Sequence, residues 1–278
     1  MNYSKLLISF ASAFLLCVNL KADELYTCGT NCKYIIEDGV LTISPIDFSQ
    51  SANIQSYIRC DDFDCYNDSP WYDSGVSKII VSDGISSIGD GAFFRMHSVT
   101  SVELPEGLES IGNSSFEATN ITNIDLPSTL TSLGTYAFAY SQLENINNIP
   151  EGITELPYRA FCDTQIENFT VPSTVTIVSP NAFGGEDDYH SSALIKNLYC
   201  SEAVADQCTA ATQWKKDLGK EINIITYKKD GDKIFYKNHW YNNASDILSG
   251  DYNKKRIYTL DEANQVTGAK NRISIKYR

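Results

Sequence analysis

The amino-acid sequence predicts an α/β solenoid, a stack of about five to six coils of 22–23 residues with a parallel β-sheet along one face. A small β-rich module is predicted to follow the stack. The first observation is a phenylalanine that recurs every 22 or 23 residues, at Phe93, Phe116, Phe138, Phe161 and Phe183. The second is a proline with the same period, at Pro105, Pro127, Pro150 and Pro172. Such a period is typical of stacked repeats, because each unit buries its apolar side only against its neighbours.

One repeat unit shows how a coil is built. The unit at 99–120 reads VTSVELPEGLESIGNSSFEATN. Its segment Val102–Leu104 alternates apolar and polar side chains, as a short strand does, and Pro105 ends that strand because proline has no amide hydrogen to donate. Leu108 and Ile111 are three residues apart, a spacing that predicts a tight helical or 3₁₀ turn. A glycine follows in three units, where we expect the chain to bend: Gly89, Gly112 and Gly134.

The recurring pattern I-x-x-I-x-L-P-x-x-L-x-x-I-G-x-x-A-F resembles the BspA-type leucine-rich repeat. Its A-F ending is present in the units that end at Phe93, Phe138, Phe161 and Phe183, whereas Ser115 precedes Phe116. The segment before the repeats, with Cys28-Gly29 and Pro70-Trp71, resembles the N-terminal flank of such proteins. The resemblance extends over roughly residues 28–200. It implies a leucine-rich repeat stack and a secreted or cell-surface protein, in some members an adhesin.

The N-terminal residues have the pattern of a secretory signal peptide. Lys5 provides a positive charge, Leu6–Val18 is apolar, and Ala22 offers a small side chain for cleavage. We therefore expect residues 1–22 to be removed and the protein to be secreted or exposed at the cell surface. The alternative is an uncleaved anchor helix, although the apolar run is shorter than the roughly 20 residues that a membrane span requires. No later segment is apolar enough to predict an integral membrane segment.

Six of the eight cysteines lie in three close pairs, and export to an oxidising environment predicts disulfides. The pairs are Cys28 and Cys32, Cys60 and Cys65, and Cys200 and Cys208. Pairing between neighbours is one of several possible arrangements, and a four-sulfur zinc site from the first two pairs is the alternative. Of the other two, Cys17 lies in the apolar run near the N-terminus, and Cys162 is interpreted as a small residue in a repeat turn, with a reactive thiol as the alternative.

We expect both ends of the stack to be capped, because a terminal coil exposes an apolar face. Residues 23–75 form the predicted N-terminal cap, with a β-hairpin around Asp38-Gly39. Residues 76–212 form the predicted repeat stack. A sixth strand near Ile195–Cys200 and a helix within residues 201–218 are expected to end it.

Residues 213–278 differ in composition from the rest of the chain. The segment 23–212 has six Lys and Arg against 27 Asp and Glu, whereas 213–278 has 14 against eight. The C-terminal segment is rich in aromatic residues, and Asp230-Gly231 predicts a hairpin, with further strands at 257–258 and 273–275. We interpret 213–278 as a small, basic, β-rich module.

The residue types that catalysis requires are scarce. The three histidines, His97, His190 and His239, lie in different regions and have no triad-like or zinc-binding spacing. Calcium at the acidic loop 61–68 or at 186–188 is an alternative, but neither has the regular EF-hand spacing. We therefore predict no catalytic residues, no metal and no cofactor. The net charge of −13 argues against nucleic acid as a partner.

In a leucine-rich repeat stack the outward side chains of the strands line the concave sheet face, so we expect recognition there. These positions are Lys78, Ile80, Ser101, Glu103, Asn123, Asp125, Asn145, Asn147, Asn168 and Thr170. The surface is polar and rich in amides, which suits a protein or glycan on a host or cell surface. The prediction is a non-enzymatic binding protein. The alternative is a structural component of the cell envelope, attached through the basic C-terminal module.

Overall fold

The computed structural model describes residues 26–61, 64–146, 149–184, 194–213, 222–230, 233–236 and 239–241. Within them the repeats form a parallel β-solenoid whose coils have three sides. A strand forms the first side, a second strand follows the proline turn, and a set of turns closes the coil. The predicted signal peptide, 1–22, and the predicted strands at 257–258 and 273–275 lie outside the described residues.

Within the predicted N-terminal cap, an antiparallel sheet begins both strand ladders of the solenoid. Its strands are β1 (Thr27–Thr30), β2 (Cys32–Glu37), β3 (Val40–Pro45) and β4 (Ala52–Ile54). The predicted hairpin is confirmed: Glu37 pairs with Val40, and Asp38 and Gly39 have φ values of 49° and 76°. Two consecutive left-handed residues are typical of a type I′ turn. Strand β3 then pairs in parallel with the first ladder, and β4 with the second.

The first ladder contains the strands that the sequence predicts. They are β7 (Lys78–Val81), β9 (Ser101–Glu103), β11 (Asn123–Ile124), β13 (Asn145–Ile146), β15 (Asn168–Thr170) and β17 (Asn197–Ser201). Equivalent positions of successive repeats lie side by side, as when Ile79 pairs with Val102 and Ile124 with Ile146. The inward side chains Ile79 and Ile124 are buried. Strand β17 confirms the predicted sixth strand.

A second strand ladder replaces the expected helical turns. Its strands are β8 (Ile85–Ile88), β10 (Ser110–Ile111), β12 (Ser132–Leu133), β14 (Glu155–Leu156) and β16 (Ile177–Val178). Leu108 and Ile111 are both buried, as their spacing indicated. However, the amides here donate to the neighbouring coil: Thr131 N donates to Glu109 O at 2.9 Å, and Gly112 N to Ile88 O at 2.9 Å. Hydrogen bonds between coils therefore hold this segment extended.

The third side is a column of turns over a stack of phenylalanines. The ring centroids of Phe93 and Phe116 are 5.1 Å apart, those of Phe116 and Phe138 are 5.5 Å apart, and those of Phe138 and Phe161 are 5.7 Å apart. Trp71 of the cap covers the end of this stack, 5.8 Å from Phe93. All five rings are buried, so the repeated phenylalanine forms the spine of the core.

The C-terminal end adds a helix and an antiparallel extension to the first ladder. A 3₁₀ turn (Glu202–Val204) precedes helix α1 (Ala205–Ala211), which lies within the predicted range; 214–218 are outside the described residues. Strand β18 (Asn223–Asp230) pairs in parallel with β17. Strands β19 (Lys233–Tyr236) and β20 (His239–Tyr241) follow in antiparallel order. Pairing of Asp230 with Lys233 confirms the predicted hairpin.

Candidate binding surface

The outward face of the first ladder carries a column of asparagines, which we call the asparagine column. It contains Asn123, Asn145, Asn168, Asn197 and Asn223, one from each successive strand from β11 to β18. The side-chain amide of Asn145 donates to the Asn123 carbonyl oxygen at 3.2 Å, that of Asn197 to Asn168 at 2.7 Å, and that of Asn223 to Asn197 at 2.8 Å. These bonds link the amides in two groups, Asn123 with Asn145 and Asn168 with Asn197 and Asn223, while all five side chains stay at the surface.

Two members of this column, Asn197 and Asn223, were not among the predicted site residues. The signal that could have found them is an asparagine directly before a core residue, since Asn197 precedes Leu198 and Asn223 precedes Ile224 just as Asn123 precedes Ile124. The spacing hides them, because Asn197 follows Asn168 by 29 residues instead of 22 or 23. The register of the parallel strands brings them into line regardless of that insertion.

A charged pair stands at the N-terminal end of the column. Lys78 and Ser101 are the preceding members of the same row of positions, and the Lys78 ammonium lies 2.5 Å from a Glu103 carboxylate oxygen. Both side chains are substantially exposed, so this ion pair contributes little to stability. It leaves the face close to neutral at this end.

The adjacent row of outward positions is mixed in character. Ile35, Thr42, Ile80 and Glu103 are consecutive partners across β2, β3, β7 and β9, so the face becomes apolar toward the cap. Ile35 is 49% exposed and was also missed by sequence reasoning.

Farther along this row Asp125 is exposed, and Thr170 is followed by Tyr199 and Ile225. The Thr170 hydroxyl oxygen is covered by protein atoms and has no hydrogen-bond partner within the described part of the chain, so it adds no polar group to the surface. Asn147, predicted for the same face, lies outside the described residues.

Two of the three predicted cysteine pairs are disulfides. Cys28 is bonded to Cys32 and Cys60 to Cys65, an arrangement that leaves no thiolate for the alternative zinc site. Cys200 and Cys208 are buried thiols that hydrogen-bond to each other across β17 and α1, so a bond between them stays a prediction. The hydrogen bond from Cys208 lowers the pKa of Cys200, and it raises that of Cys208.

In the part of the chain that the structure describes, the remaining thiol and the acidic loop show no reactive arrangement. Burial, together with the Asp163 carboxylate, raises the pKa of the Cys162 thiol to about 12, which favours the inert interpretation of this cysteine. His97 is exposed. In the described ranges, no three His, Cys, Asp or Glu side chains are placed to hold one metal ion, and Asp64 of the acidic loop pairs with Arg95 instead. His190 and residues 186–188 lie outside those ranges, and so does the His239 side chain.

Comparison with known proteins places the repeats in one family. The model for the BspA type leucine-rich repeat region matches residues 65–189 with six copies. No match is found among the curated proteins. No described helix is long and apolar enough to cross a membrane.

Solved structures of bacterial repeat proteins resemble this chain. A leucine-rich repeat protein from Eubacterium ventriosum is similar with a TM-score of 0.52 and 22% identity, over 65% of this chain and 44% of that one. This chain thus spans less than half of that protein's length. The pneumococcal vaccine antigen PcpA matches with 13% identity and a TM-score of 0.31, over 65% of this chain and 66% of that one. A leucine-rich cell surface protein from Faecalibacterium prausnitzii matches with 12% identity and a TM-score of 0.19, over 75% of this chain and 95% of that one.

Only the first of these structures is similar enough to support the fold, and it agrees with the family match and with the solenoid itself. The repeat region of this chain, residues 65–189, therefore belongs to the BspA-type leucine-rich repeat family.

Proposed function

We propose that this chain is a secreted or surface-exposed, non-enzymatic binding protein that recognises a protein or glycan through the outward face of its first strand ladder. The observation that carries this proposal is the asparagine column, whose amides are linked by hydrogen bonds in two consecutive groups. Membership of the repeats in the BspA type supports a surface or adhesion role.

The geometry of this face suits recognition of a polar ligand. An asparagine amide both donates and accepts hydrogen bonds, so one column presents both groups at every strand. The strands are fixed by their ladder and by the core beneath them, and a rigid surface loses little conformational entropy on binding. The apolar row that includes Ile35 and Ile80 offers a contact for non-polar parts of the same ligand.

Export is part of the same proposal. The signal-like pattern of residues 1–22 supports it, and so do the two disulfides of the N-terminal part, because such bonds persist in oxidising compartments.

The test is binding of the purified protein to an array of matrix proteins and glycans. We expect binding that weakens about tenfold or more in the variant with Asn123→Ala, Asn145→Ala and Asn168→Ala. The matched control carries Ser110→Ala, Ser132→Ala and Glu155→Ala on the second ladder and should bind normally. Far-ultraviolet circular dichroism verifies that both variants are folded. Absence of any bound ligand, or equal loss in both variants, would contradict the proposal.

A second candidate, a structural envelope component, is favoured by the charge distribution. Residues 213–278 carry an excess of six positive charges, whereas 23–212 carry an excess of 21 negative ones. Attachment through the basic segment to an anionic surface weakens as salt screens it. Release of the protein from cell envelopes by rising salt would support this candidate, and retention at high salt would oppose it.

A further inference from the structure

A cavity of about 440 Å³ lies on the turn side of the solenoid, away from the asparagine column. One wall is the hairpin of β5 (Ile58–Cys60) and β6 (Cys65–Asn67), which the Cys60–Cys65 disulfide closes. The floor comes from the turns of three successive coils. We call this cavity the hairpin pocket; its polar lining includes Asp61, Asp64, Arg95, Ser114, Glu117 and Tyr136.

The hairpin is firmly attached beside the cavity. The Asn67 amide donates to Phe94 O at 2.7 Å, and Arg95 Nη1 donates to Cys65 O at 3.1 Å. The contact with the first coil is so close that a Cβ atom on Gly91 would lie 2.4 Å from the Ile58 Cβ. The two strands of this wall are therefore held in place before any ligand arrives.

The hairpin contributes little to the core that it borders. Arg59, Cys60, Asp61 and Tyr66 are exposed, yet the Cys60–Cys65 disulfide stiffens this segment. A stiff projection that buries few apolar side chains adds little to the stability of the fold. The main effect of its rigidity is to keep the shape of the cavity constant.

The lining of the pocket is negatively charged. Within the described part of the chain it holds three carboxylates, from Asp61, Asp64 and Glu117, and one guanidinium, from Arg95. That guanidinium is already engaged, because Arg95 Nη2 lies 3.0 Å from an Asp64 carboxylate oxygen. The pocket therefore keeps an excess of negative charge, and the strongly acidic segment around it, with 27 Asp and Glu against six Lys and Arg, adds to the field.

Glu117 is the carboxylate set into the floor. Its side chain is half-buried, and burial raises its pKa despite a hydrogen bond from Ser114 and the nearby positive charge of Arg95. The attraction between a half-buried carboxylate and a cation is stronger than that of an exposed carboxylate, because less water screens the two charges.

Among the residues that the structure describes, the aromatic rings at the pocket do not provide an open platform for a sugar. Arg95 lies over the Phe94 ring, 4.8 Å from its centroid, and Arg159 lies over the Tyr136 ring at 5.8 Å. The edge of Tyr136 also contacts Tyr158, with ring centroids 5.7 Å apart. The charge of the lining, rather than stacking, is the feature that a ligand would meet.

We propose that the hairpin pocket binds a lysine or arginine side chain of a protein partner, with Glu117 as its main counter-charge. This site is separate from the asparagine column, so either site could fail its own test without affecting the other.

The test is a titration of the purified, isotope-labelled protein with acetyl-Gly-Arg-Gly-amide and acetyl-Gly-Lys-Gly-amide, followed by NMR. The control peptide replaces arginine with citrulline, which keeps the shape of the side chain and removes its charge. We expect at least one cationic peptide to shift the amide signals of Ser114 and Glu117 with saturation, and citrulline to have little effect.

Two variants locate the effect. Glu117→Gln should weaken binding about tenfold or more, because it leaves the cation without its partner. Glu109→Gln removes the same charge from an exposed position on the second ladder and should bind as the natural protein does. A melting temperature measured for each variant separates lost binding from lost folding.

Three results would overturn the proposal. One is equal binding of the arginine and citrulline peptides, and another is unchanged affinity in a folded Glu117→Gln variant. The third is no response to either cationic peptide. A response of the same amides to maltotriose or chitotriose alone would instead assign the pocket to neutral sugars.

Discussion

Gly134→Ala tests the packing that sets the distance between coils. A Cβ atom on Gly134 would lie 2.3 Å from the backbone nitrogen of Asn113 and 2.4 Å from the carbonyl carbon of Gly112. Both atoms belong to the backbone of the preceding coil, so no side chain can move aside to make room. The φ of Gly134 is not in the left-handed region, so this glycine is required for close approach and not for a bend.

The expected cost follows from these distances. Ordinary contact begins at 3.4 Å, so the two coils must separate locally by about 1.1 Å, the difference from 2.3 Å. The hydrogen bonds from Gly134 N to Ile111 O, at 2.8 Å, and from Thr131 N to Glu109 O, at 2.9 Å, join the same two coils. Weakening two such bonds costs about 1 kcal/mol each. Overpacking adds about 1–3 kcal/mol. We expect a loss of about 3–5 kcal/mol in the free energy of unfolding.

Urea unfolding followed by circular dichroism measures this loss. The matched control is Gly75→Ala, since a Cβ there has no atom within 4 Å and meets only the strain of φ = 74°. That strain costs about 1 kcal/mol. If the two variants lose the same free energy within about 0.5 kcal/mol, the close approach of the coils is not the role of Gly134.

Two further predictions concern the core and the floor of the hairpin pocket. Phe116→Ala removes a fully buried ring that stacks between Phe93 and Phe138, and we expect it to cost about 3–5 kcal/mol in urea unfolding. Phe48→Ala removes a ring that is 71% exposed and should change stability by less than about 0.5 kcal/mol; equal effects would refute the phenylalanine spine. Burial raises the pKa of Glu117, so the folded protein holds this proton more tightly than the unfolded chain, and stability is gained as pH falls through the folded-state pKa. Glu117→Gln should therefore raise the melting temperature at about pH 7, and the gain should vanish below the ordinary glutamate pKa of about 4.3; a lower melting temperature at about pH 7 would contradict the assignment.

The first ladder could be predicted because its signal is local and repeated. An apolar side chain alternates with polar ones before a proline in the four copies that contain Pro105, Pro127, Pro150 and Pro172. The hairpin at Asp38-Gly39 could be predicted for a similar reason. A tight turn with two consecutive left-handed residues strongly favours the dipeptide Asp-Gly.

The second ladder could not be distinguished from a helical turn by spacing alone. Leu108 and Ile111 reach the core in either conformation, and the choice depends on where the intervening amides find acceptors. Those acceptors, such as Glu109 O for Thr131 N, belong to the preceding coil, about 22 residues earlier in sequence. The recurring glycines were predicted to lie at a bend for the same reason. The sequence of a single repeat does not reveal the backbone atoms of the neighbouring coil that these glycines approach.

The candidate site residues also fall into those that a local sequence pattern predicts and those that depend on contacts distant in sequence. The outward positions from Lys78 to Thr170 follow from strand alternation, whereas Asn197 and Asn223 depend on strand register beyond an insertion. The hairpin pocket depends on Arg95 adopting a left-handed φ of 56° and on a disulfide hairpin that lies 30 residues away in sequence. No local pattern brings those groups together.

Carboxylate labelling of the protein, free and bound to a ligand found on the array, tests the central claim most directly. Carbodiimide labelling read by mass spectrometry compares Glu103 and Asp125 on the first ladder with Glu109 and Glu155 on the second, all of which are exposed. Recognition through the outward face of the first ladder predicts that Glu103 and Asp125 become protected while Glu109 and Glu155 are labelled as before. Protection of the second-ladder carboxylates alone, or no protection at Glu103 and Asp125, would contradict it.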